Sequence, residues 1–145
     1  MNEQVRSEVP VWFWVLAVLA VLWNAMGMFA YVSDVTLAPD AVAALPQAQQ
    51  DLRAATPSWV TGAYAIAVTA GLLAALCLLL RKTWAVPLFI VSLAAVVLQM
   101  GYVIVVMKAP AVLGASAIVF PAIVIILGAL QLWFATSAKA KSWLS

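Results

Sequence analysis

The sequence contains no histidine, one cysteine (Cys77), and only seven basic and five acidic side chains among 145 residues. Each shortage excludes something. Without histidine the chain lacks the commonest metal ligand and the commonest general base together. A single cysteine forms neither an internal disulfide nor a cysteine-based metal site. Surrounded by leucines, Cys77 reads as an inert small apolar residue. There is no glycine-rich phosphate loop, no carboxylate pair, and no serine or cysteine nucleophile with a base. The chain is therefore not expected to be an enzyme, and no catalytic residue, metal or cofactor is assigned. A net charge of +2 is too small to suggest a nucleic-acid partner.

What the sequence has is hydrocarbon. It is 68% hydrophobic and 8% charged, with a mean hydropathy of +1.14. A soluble domain is nearer half apolar and a quarter charged, and one this small cannot hide so much apolar surface. The charges fall between four charge-free runs, 9–33, 54–80, 83–107 and 109–138. Each exceeds the roughly 20 apolar residues that cross a bilayer as a helix. Spans are expected near 11–32, 58–80, 84–107 and 114–136. They are helical because a lone span in lipid must satisfy its own backbone hydrogen bonds. Residues 1–145 thus read as one all-α membrane domain, a four-helix transmembrane bundle whose first partner is the lipid bilayer. Homo-oligomerisation or a membrane-protein partner stays open.

Local chemistry marks the boundaries. Pro10 suits the first helical turn of span 1. Thr56 and Pro57 read as N-cap and first helical residue of span 2. Pro87 falls in the first turn of span 3. Pro121 lies well inside span 4, where a kink or a loosened turn is expected. Span 1 reads as a retained helix rather than a signal peptide: its apolar run is too long, and no A-x-A site follows. Arg6, Arg81, Lys82, Lys139 and Lys141 share one side of the membrane, against Arg53 and Lys108 on the other. Positive-inside then puts both termini in the cytoplasm. Trp12, Trp14, Trp84 and Trp133 fall at that interface and Trp59 at the opposite one, while Trp23 lies near mid-membrane. The one sizeable loop, 33–57, is on the outer side. Pro39, Asp40 and Pro46 predict one or two short helices there.

Small and polar residues recur at helical spacing in every span. Span 1 has Ala17, Ala20, Asn24, Gly27, Tyr31 and Asp34 on one face; span 3 has Ser92, Ala95, Gln99 and Tyr102. Span 4 has Gly114, Ala117, Pro121, Val124, Gly128 and Gln131. Span 2 has Tyr64, Ala67, Gly71 and Ala74 beside Ala63 and Ala75. Small residues let helices approach closely and polar ones seek partners away from lipid, so these faces should meet. Gly27, Ala67, Gly71 and Gly128 are the candidate packing positions. Asn24 and Gln99 stand ~20 Å and ~22 Å above the cytoplasmic starts of their spans, which predicts an Asn24–Gln99 hydrogen bond. It reads first as an interhelical tie and second, with Gln131, as a polar contact for a passing solute. Tyr31, Tyr64 and Tyr102 lie in the outer third, as an interfacial belt or as the lining of an outward pocket. Asp34 is expected to be solvated, or paired with Lys108 or Arg53. No span has a charge in its central part, whereas ion-coupled carriers usually need one.

The stretches LWNAMGMFAYV (22–32), ALPQAQQDLRAATPSWVT (44–61) and LLLRKTWAVPLFIVSL (78–93) carry a family resemblance. The matching features are Trp23-Asn24, the sequence Thr56-Pro57-x-Trp59, and Arg81-Lys82 before Trp84. Over roughly residues 10–108 the chain resembles a family of small four-helix bacterial inner-membrane proteins, uncharacterised, some of which carry the label "sugar transporter". The resemblance implies the bacterial inner membrane as the location. Two functions are consistent with the residues. The first is a non-catalytic accessory, or a protein handling a lipid or another hydrophobic molecule. The second is a transporter of a neutral small solute such as a sugar, working as an oligomer. A membrane-bound redox accessory comes last, because paired cysteines and histidines are missing.

Overall fold

A computed structural model describes residues 8–145, so Arg6 and its part in the charge asymmetry lie outside the described residues. Among the described residues seven helices follow one another: α1 (Val11–Val35), α2 (Pro39–Ala43), α3 (Gln47–Ala55), α4 (Ser58–Leu79), α5 (Ala85–Val105), α6 (Ala109–Leu113) and α7 (Ser116–Ala140). No strand occurs among the described residues. The four long helices α1, α4, α5 and α7 are each long and apolar enough to cross a membrane. The chain is an integral membrane protein built as an all-α four-helix bundle.

Helix α4 packs between α1 and α5, and α7 lies against α5. Its small residues allow this: Ala63, Ala67, Ala70, Gly71, Ala74 and Ala75 are all buried. The fourth edge of the bundle is different. Helices α1 and α7 share almost no close backbone approach, and side chains alone close the gap. Successive spans alternate in direction, so one end of the bundle carries the described chain ends and the α4–α5 turn. The other end carries α2, α3 and α6.

The terminal end is tightly closed. Phe13 is fully buried, with ring centroids 5.6 Å from Phe134 and 5.8 Å from Trp143. Trp12 stacks edge-on with Trp143 at 5.2 Å, and the Lys141 ammonium sits 4.7 Å from the Trp143 ring centre. Two helix ends meet here, and both finish in a Schellman motif. Arg81 N–H reaches Leu78 O and Lys82 N–H reaches Cys77 O; Ser142 N–H reaches Lys139 O and Trp143 N–H reaches Ala138 O. Arg81 (φ 58°) and Ser142 (φ 59°) take the left-handed conformation usually given to glycine. The two turns then bond to each other. Ser145 N–H donates to Arg81 O at 2.7 Å and Thr83 N–H to Ser145 O at 3.1 Å. The Arg81 Nε donates to Trp143 O at 2.7 Å. This clasp holds α7 to the α4–α5 hairpin.

The loop end is held more lightly. Arg53 donates to the Asp34 carboxylate at 2.6 Å and to the Asp34 carbonyl at 3.0 Å, which fastens α3 to the end of α1. Of the alternatives for Asp34, pairing with Arg53 is the one observed; both groups are partly exposed. Helices α2 and α3 form where the loop was expected to be helical, and the Gln50 side chain joins them by donating to Leu45 O at 2.7 Å.

Two boundary expectations need correction, whereas the fourth span, expected near 114–136, forms as one helix, Ser116–Ala140. A separate turn, α6, precedes α7, because Lys108 (φ 54°) and Gly114 (φ 76°) both leave the helical region. Only glycine adopts the Gly114 geometry without strain. Helix α7 then runs on to Ala140 and passes through Pro121 without interruption, although the carbonyl of Ala117 loses its helical donor there. Thr56 does not cap α4. It ends α3, with its hydroxyl turned back to Leu52 O at 2.8 Å, and Pro57 takes the N-cap position. The following proline holds Thr56 extended, which explains the split. Pro10 likewise stands at the N-cap of α1 rather than inside its first turn.

Candidate functional site

Above the closed end, the four long helices enclose a cavity of about 230 Å³. Phe89, part of the terminal-end core, bounds it on that side. Met26, Gly27 and Ala30 of α1 face Phe120, Val124 and Gly128 of α7 across it. Small residues on α1 leave room that the longer side chains of α7 do not fill. Among the described residues neither a carboxylate nor a lysine or arginine lines the space. Among the described residues no three carboxylates or cysteines come together as metal ligands.

Asn24, Gln131 and Ser92 lie near one level. Asn24 Nδ2 donates to Gln131 Oε1 at 2.6 Å and to Ala20 O at 2.7 Å. Gln131 Nε2 donates to Leu127 O at 3.2 Å. The predicted Asn24–Gln99 bond is therefore absent: Asn24 reaches across the open α1–α7 edge instead. Asn24 stands level with Ser92, since both face Gly71, and Gln99 lies seven residues, about 10 Å, further along α5. The Ser92 hydroxyl donates to Ala67 O at 2.7 Å. Gly71 sits where α1, α4 and α5 converge. A Cβ there would collide with Asn24 Oδ1 and would stand 3.0 Å from Ser92 Oγ. Gly128 would bring a Cβ to 3.1 Å from Leu93, whereas at Gly27 the nearest atom, on Val68, is at an ordinary 3.8 Å.

Gln99 is the exception in this network. It lines the cavity, and its Oε1 is buried without a hydrogen-bond partner. A buried acceptor with no donor is costly and uncommon.

No family model, curated protein or solved structure matches the chain. The site is thus read from its own geometry. The three tyrosines do not gather into one pocket. Tyr31 stacks edge-on with Tyr64 at 5.0 Å, and Tyr102 with Trp59 at 4.8 Å. Of the three, Tyr64 alone lines the cavity. Trp23 is the tryptophan expected near mid-membrane rather than at an interface. It lines the central cavity and also a second space of about 370 Å³ on the α1–α7 edge. That groove is walled by Leu16, Leu19, Leu127, Leu130 and Trp133, and Gln131 is its one polar residue. The mid-membrane tryptophan was the available signal for it, since an aromatic away from the interface belt needs another reason to be there.

Proposed function

We propose that this protein binds a small neutral hydrophobic molecule in the central cavity, as a non-catalytic handling or accessory protein of the bacterial inner membrane with both termini cytoplasmic. The observation that carries the reading is the balance of the cavity wall. It is apolar and uncharged, and Asn24, Gln131 and Ser92 are already bonded within the protein. The one fully buried side-chain polar atom without a partner among the described residues is Gln99 Oε1. A sugar brings several hydroxyls, each costly to bury without a partner, so this wall suits it poorly. An apolar molecule with few polar groups matches the usual design of a small-molecule site. The orientation rests on the Lys/Arg asymmetry, and the membrane on the resemblance noted above.

Photolabelling tests the binding. A trifluoromethyl-phenyl diazirine in proteoliposomes should label Val96 and Val124 saturably, and an unlabelled analogue should compete. Lipid-facing Val105 should label without saturation. Saturable hexose uptake by the same proteoliposomes, with no competable label in the cavity, would overturn the reading in favour of solute transport. Labelling of a cysteine placed at Lys82 by an impermeant reagent on intact cells would reverse the orientation.

A further inference from the structure

The central cavity and the groove between α1 and α7 share two walls, Trp23 and Gln131. They lie on either side of the same bundle edge. That edge is the one pair of neighbouring spans without close backbone approach. Its groove side is open to the hydrocarbon: Leu16, Leu19, Leu130 and Trp133 are all exposed. Across the edge, the Asn24–Gln131 bond is the one side-chain hydrogen bond from α1 to α7 among the described residues. A tie between two amides in a membrane is modest and reversible.

Resting on the binding function proposed above, we infer that the ligand is a neutral single-chain alcohol. Its hydroxyl donates to Gln99 Oε1, and its hydrocarbon chain leaves between α1 and α7 along the groove, past the Asn24–Gln131 bond. Gln99 Oε1 accepts and cannot donate, so an ether or ketone head leaves it unsatisfied. A hydroxyl satisfies it. A cationic head would lose its hydration in a cavity that holds no carboxylate, and an anionic head would find no lysine or arginine. The groove suits methylene groups because its wall is leucine and aromatic carbon with a single amide. Asn24 and Gln131 act as a latch: their bond must open for a chain to move between bilayer and cavity.

The test uses the full chain in phosphatidylcholine liposomes and three photoreactive probes. These are a long-chain alcohol with a mid-chain diazirine, its methyl ether and its quaternary ammonium analogue. The alcohol should label Leu127 and Leu130 saturably and half-saturate at about fivefold lower concentration than the ether; the ammonium probe should not saturate. Gln99→Met, similar in shape but without the acceptor, should bring the alcohol to the level of the ether without lowering the melting temperature. Asn24→Leu should shorten the time to saturation. If alcohol and ether label alike in the wild-type protein, the head-group assignment fails while the binding function stands; this comparison needs no variant. Saturable labelling confined to the cavity, with none at Leu127 or Leu130, overturns the path of the chain. An unchanged time course in Asn24→Leu overturns the latch. No saturable labelling by any probe overturns the binding function itself.

Discussion

At the terminal end, Phe13, Phe134 and Trp143 fill the centre of the bundle, and the backbone of one turn bonds to the backbone of another. Beyond it the long helices leave a space that their side chains do not fill, and the loop end is held by two aromatic pairs and a partly exposed ion pair. The same four helices are thus closed at one end and open near the other. In water the hydrophobic effect would press both ends together. In lipid that force is missing, because hydrocarbon chains solvate leucine as well as another helix does. Association then depends on shape and hydrogen bonds, and helices part wherever those are lacking. The difference between the ends shows where this sequence supplies them.

The largest expected effect tests the closed end. Phe13→Ala should cost about 3 kcal/mol in reversible unfolding, because a fully buried ring leaves a void. Phe29, 75% exposed on the open half of α1, should tolerate alanine within about 0.5 kcal/mol. Equal losses would remove the distinction between the halves. Next comes the point where the halves join. Gly71→Leu should lower the melting temperature in detergent, at a cost of about 2 kcal/mol, since even a Cβ there displaces Asn24. Leu73→Ala, at a side chain 48% exposed, should shift the melting point much less.

A double-mutant cycle sharpens the comparison at the open edge. Asn24→Leu and Gln131→Leu should couple by about 1 kcal/mol, whereas Asn24→Leu and Gln99→Leu should be additive. Coupling to Gln99 instead would restore the pairing expected from depth alone. The smallest effect belongs to the loop end. Arg53→Gln should cost about 0.5 kcal/mol at low salt, and the difference from wild type should fade in concentrated salt, because the Asp34 pair is partly exposed.

The parts of this structure legible in the sequence are those set by hydropathy and by one helix at a time. Runs without charge marked the spans, and spacing by three and four put Ala17, Ala20 and Asn24 on one inward face. Proline and acidic residues marked the short helices of the loop between α1 and α4. Contacts between spans were less legible. Depth along the helix put Asn24 and Gln99 at one level, but Asn24 stands level with Ser92, about 10 Å short of Gln99, and the bond goes to Gln131. The α6 turn was hidden because Lys108 and Gly114 reveal their positive φ only in three dimensions. Trp143 and Leu144 gave no periodic signal, since they are buried by a tail folding back and not by a helix face.

The clasp between the two turns also has a consequence for the order of events as the bundle assembles. Arg81 and Trp143 are 62 positions apart in the sequence. The hairpin of α4 and α5 closes through local contacts, and α1 can dock on it while α7 is still elsewhere in the bilayer. Until α7 arrives, Phe13 has neither Phe134 nor Trp143 beside it, and the Arg81 carbonyl and Thr83 N–H must be satisfied by water at the membrane surface. Distant contacts form late because a long loop must close first. The end that is most tightly closed in the finished protein is therefore the last to close. A three-helix precursor would be open along its whole length, with the polar face of Asn24 and Gln99 turned toward lipid until the final helix covers it.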